Sequence, residues 1–125
     1  MIVSIGIDIV EVYRIAETMT RTPRFRERVF TEAERAYCDA KGAAAAQSFA
    51  GRFAAKEAFL KALQTGWRGK ITWHDIEILS DDQGVPTLNI SGEASTLFND
   101  TGAVQAHLSI SHTAEHAVAQ IIFEK

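Results

Sequence analysis

The sequence predicts one α+β domain, and three observations carry that reading. Residues 2–9 alternate side-chain character with a period of two, the mark of a strand. Residues from about Ala43 to Thr65, rich in Ala, Phe, Leu, Lys and Glu, give the strongest helix signal in the chain. The second half returns to strand periodicity, broken by turn residues. A chain of 125 residues holds one core and is too short for two comfortable ones, so residues 1–125 are read as a single domain.

The elements follow in order. Ile5, Ile7 and Ile9 alternate with Ser4, Gly6 and Asp8, which reads as a buried strand. Helical character runs from about Glu11 to Thr20, and Pro23 interrupts it before a short basic turn, RFRERVF. Thr31 with Glu34 three residues later is a capping-box signature for a helix through about Ala40, which Gly42 breaks. The long helix follows, and Gly66 is placed to end it. ITWHDIEIL reads as a strand, DDQGVP as a turn, TLNI as a short strand, and Ser91 to about Asn99 as a small helix. HLSISH and HAVAQIIFE read as two strands joined by a tight turn near Thr113 to Glu115.

Composition excludes several classes. Apolar residues make up 46% and charged residues 23%, a globular balance rather than a disordered one. Apolar runs fall far short of the roughly 20 residues that span a bilayer. MIVSIGIDIV has no basic lead-in and carries Asp8 in its apolar run, so it does not read as a signal peptide. A single cysteine, Cys38, leaves no internal disulfide and fits a reducing cytoplasm; in its polar helical stretch it reads as structural. A net charge of −3 gives no support for nucleic-acid binding. The charge is uneven, however. Residues 14–28 hold Arg14, Arg21, Arg24, Arg26 and Arg28 against Glu17 and Glu27, so an acidic partner should meet the chain there.

Two places break local rules. Asp8 is a lone carboxylate in an apolar strand, costly if buried alone, with Gly6 beside it leaving room for a ligand or another backbone. It reads equally as a strand-end residue in water or a cap on the next helix. On the long helix, Phe49, Phe53, Leu60 and Leu63 share one stripe, and Lys56 projects into its middle. Arg52 lies on one margin; Glu57 and Lys61 lie on the other, where they can also form a plain exposed pair. Together these features suggest a phosphate-handling site. Two carboxylates on rigid elements can hold Mg²⁺, whose remaining ligands are waters and substrate phosphates. Arg52, Lys56 and Lys61 supply the cationic charge a polyphosphate needs.

GIDIVEVYRI, FAGRFAAKEAFLKAL, WHDIEIL with a following GVP, and HLSISHT occur in that order along the chain. In them the sequence resembles the bacterial holo-acyl-carrier-protein synthases, the short group of 4′-phosphopantetheinyl transferases. The resemblance implies an antiparallel sheet packed on a long central helix, with the site completed between the subunits of a homotrimer. It implies transfer of the 4′-phosphopantetheine of coenzyme A to a serine of apo-acyl carrier protein, with release of 3′,5′-ADP. Asp8 and Glu57 match the metal-binding carboxylates. Arg52 and Lys61 match phosphate contacts, with Lys56 placed beside them. His112 matches a histidine near the coenzyme phosphates, with Ser111 and Thr113 next to it. Arg14 matches a carrier contact, and Arg21, Arg24, Phe25 and Arg28 extend that surface.

The catalytic set implied is Asp8, Glu57 and Lys61. Glu57, or a metal-bound water that Asp8 or Glu57 orients, is the candidate base, and Lys61 with Arg52 faces the departing charge. Without the resemblance, His112 reads as an ordinary strand-end histidine. His74, His107 and His116 have no zinc spacing, and Trp67 and Trp73 read as packing residues. Two competing readings are a non-catalytic module for coenzyme A or a nucleotide, and an oligomerising domain that buries Lys56 in a subunit contact.

Overall fold

A computed structural model describes residues 1–65 and 69–125 of the chain; the expected helix stop at Gly66, and Trp67, lie outside the described residues. The chain runs β1 (Ile2–Glu11), α1 (Val12–Arg21), α2 (Phe25–Val29), α3 (Glu32–Asp39), α4 (Ala45–Leu63), β2 (Ile76–Ser80), β3 (Pro86–Ile90), α5 (Gly92–Asp100), β4 (Gln105–His112) and β5 (His116–Glu124). This is the α+β arrangement expected, with two differences. RFRERVF contains a helical turn, α2, and the segment expected as one strand from Ile71 opens with a 3₁₀ turn over Trp73–Asp75. In that turn the Thr72 hydroxyl donates to the Asp75 carboxylate, and the Thr72 N–H does the same, holding the backbone out of extended form.

Three antiparallel strands in the order β1-β5-β4 form the main sheet, and β2 with β3 makes a separate hairpin. The register places Asp8 opposite Ala119 and Ile110 opposite the same Ala119, so β5 separates the two by one strand on each side. Helix α4 lies across one face of this sheet. It is buried nearly all round because the sheet packs on one side and α1, α3 and the hairpin on the others. Gln64, in left-handed conformation at φ 63°, ends it.

One core lies between α4, the sheet and the hairpin, where the Phe59, Phe98 and Phe123 rings meet at centroid distances of 4.9 to 6.2 Å. A second joins Ile15, Phe25, Val29 and Phe30 to Phe49 on α4. The capping box of α3 forms as the sequence implies: the Thr31 hydroxyl accepts from the Glu34 N–H, and the Glu34 carboxylate accepts from the Thr31 N–H.

β1 reverses the expectation of a buried isoleucine face. Ser4 and Gly6 face α4, while Ile5, Ile7 and Ile9 stand exposed on the outer side of the sheet. The cause is the closeness of the helix. A Cβ at Gly6 would fall inside the Ala58 carbonyl and come within 2.8 Å of the Ala62 nitrogen, and the Ser4 hydroxyl donates to the Ala62 carbonyl at 2.7 Å. Only small residues fit that contact, so the bulky ones are turned outward. The room left by Gly6 is filled by the backbone of α4.

Candidate active site

Alternation along β1 aims Asp8 at α4, beside the turn that carries Glu57 and Lys61. The Lys61 ammonium donates to an Asp8 carboxylate oxygen at 2.9 Å and to the Ile7 carbonyl at 3.1 Å. Lys61 therefore pairs with Asp8 across the strand–helix contact; Glu57, one helical turn earlier, feels its charge without an ion pair. Burial, and after it the Asp8 carboxylate, push the Glu57 carboxyl above the ordinary range, and Lys61 pulls it partly back. Two carboxylates, of which Glu57 is raised in part by the other, share one cation, and that leaves the site electrostatically under-neutralised.

Arg52 builds a second cluster. The residue is only 5% exposed, and its guanidinium has no carboxylate partner among the described residues. One amino group donates to the Ser80 hydroxyl at 2.8 Å and another to the Ser48 hydroxyl at 3.4 Å, while Nε has no hydrogen-bond partner. It borders a groove of about 360 Å³, which Tyr37, Lys41, Ser48, Ser80, Ile110 and His112 also line. His112 thus lines the same groove as Arg52, the neighbourhood the resemblance implies. Tyr37, Lys41, Ser48 and Ser80 were not picked out by sequence, since they come from three separate elements.

The remaining expected residues divide. Lys56 is not a phosphate contact. Its side chain is 0% exposed and donates to Glu34 at 2.9 Å, the Ile76 carbonyl at 2.6 Å and the Trp73 carbonyl at 3.0 Å. That triple engagement inside one chain also removes the reading of Lys56 as a subunit contact. Ser111 lies on the outer sheet face, opposite His112, because adjacent strand residues point apart. The Thr113 hydroxyl accepts from the Glu115 and His116 N–H groups and holds the β4–β5 turn, away from the Arg52 groove.

In the basic segment Arg14, Arg21, Arg24 and Arg28 are exposed. Phe25 is not, at 9%; it packs on Phe30 and Phe53, each with ring centroids 6.0 Å away, so it supports that surface from beneath. An apolar groove of about 550 Å³ runs beside Arg14, between Ile9, Ile15, Thr18 and Phe53. Trp73 stacks on Phe53 at 5.4 Å, in the packing role expected.

The two clusters stand on different faces of one helix. Five residues separate Arg52 from Glu57, about 7.5 Å of rise and about 140° of rotation. Asp8 and Glu57 form the pair that can hold a cation. Among the described residues no group of three or more His, Cys, Asp or Glu side chains converges as a metal cage. Two carboxylates with open surroundings suit Mg²⁺, which keeps waters and takes substrate phosphate oxygens. The donor set fits.

A β-hairpin and a three-stranded sheet clasping one buried helix, with a carboxylate pair and an anion-seeking arginine, define a phosphate-handling α+β protein. Comparison makes it particular. Residues 4–121 match the family model described as the 4'-phosphopantetheinyl transferase superfamily. The chain is 50% identical over 125 residues to a holo-[acyl-carrier-protein] synthase of Koribacter versatilis, covering 99% of each. Among solved structures, the holo-(acyl-carrier-protein) synthase from Bacillus anthracis in complex with CoA (3',5'-ADP) superposes with a TM-score of 0.80. It is 44% identical, with 99% of this chain and 97% of that one covered. The synthase from Neisseria meningitidis gives a TM-score of 0.87 at 33% identity, with 100% of both covered. The chain belongs to the 4'-phosphopantetheinyl transferase superfamily, as a holo-acyl-carrier-protein synthase type of enzyme.

Proposed function

We propose that this chain transfers the 4′-phosphopantetheine group of coenzyme A to a serine of apo-acyl carrier protein, with Mg²⁺ held by Asp8 and Glu57. The observation that carries the reading is the pairing, in a chain of this family, of that under-neutralised carboxylate cluster with the buried, carboxylate-free Arg52. The complex titled with coenzyme A, in the Bacillus anthracis relative, supports coenzyme A as donor.

The serine oxygen forms a bond to the β-phosphorus of the donor. The bond from that phosphorus to the bridging oxygen breaks, and 3′,5′-ADP leaves. Bound divalent metal supplies charge neutralisation at the pyrophosphate. The chain's own residues do the rest. Glu57, directly or through a water that it or Asp8 orients, takes the serine proton. Lys61, exposed and held only at its tip, reaches from Asp8 to the departing oxygen. Arg52 and His112 hold the nucleotide end. The exposed arginines of α1 and α2 steer the acidic carrier.

Three copies of the chain complete the site. The separation of the two clusters across α4 supports this, as does the open isoleucine face of the sheet. Ser111 and Thr113, on that side of the molecule, then belong to the contact with a neighbouring copy. The described residues include no helix long and apolar enough to cross a membrane, and the one cysteine is free. We place the reaction in the cytoplasm, where coenzyme A and the carrier meet.

Intact-mass spectrometry of an apo-acyl carrier protein tests the function. Incubation with this chain, coenzyme A and Mg²⁺ should add one phosphopantetheine group, and EDTA should abolish the gain. No gain with several apo carriers, from folded protein, points to a non-catalytic coenzyme A module.

A further inference from the structure

Among the described residues, Tyr37 is the one phenyl-type ring lining the Arg52 groove, and it is wrapped in positive charge. The Arg52 guanidinium lies 4.2 Å from its ring centroid, and the Lys41 ammonium 4.6 Å. The pKa of its hydroxyl is held below the usual value, by Ser80 first, and Ser80 is the residue that accepts from Arg52. Tyr37 comes from α3, Lys41 from just beyond it, Arg52 from α4 and Ser80 from the end of β2. One ring therefore ties three elements together at one wall of the groove.

That arrangement is unfavourable without a ligand. Two cations near one ring repel one another, and the described residues give neither a carboxylate partner. The quadrupole of the ring offsets part of the repulsion. Arg52 is nearly fully buried with Nε unsatisfied, which is costly unless an anion enters. Cations over the ring also leave it poorly placed to stack on a nucleobase.

Coenzyme A carries a pyrophosphate diester and a 3′-phosphate monoester, and only the monoester has two ionisable oxygens of its own. We propose that Tyr37 is a positioning residue that holds Lys41 and Arg52 together for a phosphate monoester dianion, so that the chain prefers donors bearing one. The inference rests on coenzyme A being the donor. Lys41 is the second cation of that site.

Calorimetric titration of the wild-type chain with 3′,5′-ADP and with 5′-AMP measures the preference as a ratio of affinities. Wild type should bind 3′,5′-ADP at least tenfold more tightly. Tyr37→Leu, which keeps apolar bulk and loses the quadrupole, should cut that ratio about five- to tenfold and leave 5′-AMP affinity unchanged. Tyr37→Phe should keep most of it. Lys41→Met, at an exposed position that folding tolerates, should lower the same ratio. A Tyr37→Leu ratio equal to wild type, or equal weakening of both nucleotides, overturns the Tyr37 role while carrier modification by wild type still stands. Wild type that binds neither nucleotide and modifies no carrier overturns the donor assignment and this proposal together.

Discussion

The Lys56 ammonium and the Glu34 carboxylate meet at 2.9 Å with both side chains fully buried, one on the central helix and one at the start of α3. The other Glu34 oxygen accepts from the Ile78 N–H at 2.8 Å, so the pair also pins the edge of the β2–β3 hairpin. Burial pushes the Lys56 amine below its usual value, and Glu34 opposes that shift. Removing one partner leaves an uncompensated buried charge, which costs about 3–5 kcal/mol. Glu34→Ala and Lys56→Ala should each lose that much in urea unfolding. Glu34→Leu with Lys56→Met should recover most of it. Equal losses in the single and double variants would show that the pair is not what holds α3 to α4.

The acid limb of the reaction should reflect Glu57. Its folded pKa is raised, by burial first and Asp8 second, so it gains a proton at a pH above that of an ordinary carboxylate. For stability the sign is set by that direction: the contribution is present at acid pH and is lost as pH rises through the raised pKa. Glu57→Gln should therefore be at least as stable as wild type at neutral pH, yet inactive. Asp8→Ala should be folded and inactive as well. Lys61→Met removes the one influence that lowers the Glu57 pKa, so the acid limb of Mn²⁺ binding, followed by electron paramagnetic resonance, should move to higher pH. An unmoved limb would detach Glu57 from the cation.

Gly6 is required by contact rather than by backbone angle. The Ala58 carbonyl and the Ala62 nitrogen leave no volume for a methyl group. Backbone cannot rotate away as a side chain can, so the whole of α4 would have to lift from β1. Gly6→Ala should cost about 3 kcal/mol or more, at the upper end for overpacking. Thermal unfolding within about 1 °C of wild type would contradict the close strand–helix packing.

Features set by neighbours in sequence were legible; those set by neighbours in space were not. The α3 capping box and the two C-terminal strands follow from local spacing. The facing of β1 was misjudged because alternation has no sign: Ile5, Ile7 and Ile9 repeat as regularly outward as inward, and only the approach of α4 at Gly6 decides. Lys56 looked like a site residue because its partner, Glu34, lies on another helix. Tyr37 and Lys41 carry no local signal for the same reason. Ser111 could have been separated from His112 by strand parity alone, which a contiguous motif obscures.

The exposed isoleucines bear on assembly. Ile5 and Ile7 are each more than half exposed on the outer sheet face, and both flank strand pairs with Ile122 and Gln120 on β5. A monomer rarely leaves such a face open. If the proposed trimer forms through this face, Ile5→Asp with Ile7→Asp should convert it to monomer in analytical ultracentrifugation and lower transfer at least tenfold, with the circular dichroism spectrum retained. A wild-type chain that sediments as an active monomer would end the shared-site reading.

The proposed carrier docking calls for arginines that are available rather than merely present. Arg14 pairs with Glu11 at 2.9 Å and Arg21 with Glu17 at 3.4 Å, but both pairs are exposed, so each contributes little and yields easily to an acidic partner. Arg26 is engaged with Asp39 at 2.6 Å and is half-buried, which takes it out of the docking surface. Arg24 and Arg28 have no ion pair among the described residues and stand exposed on either side of Phe25. Charge reversal at Arg14 and Arg24 should therefore raise the KM for the carrier at least tenfold and leave the KM for coenzyme A within about twofold. Raising ionic strength should weaken the wild type toward the variant, since exposed charges are screened over about 8–10 Å. Equal rises in both KM values would move the carrier to another face of the molecule.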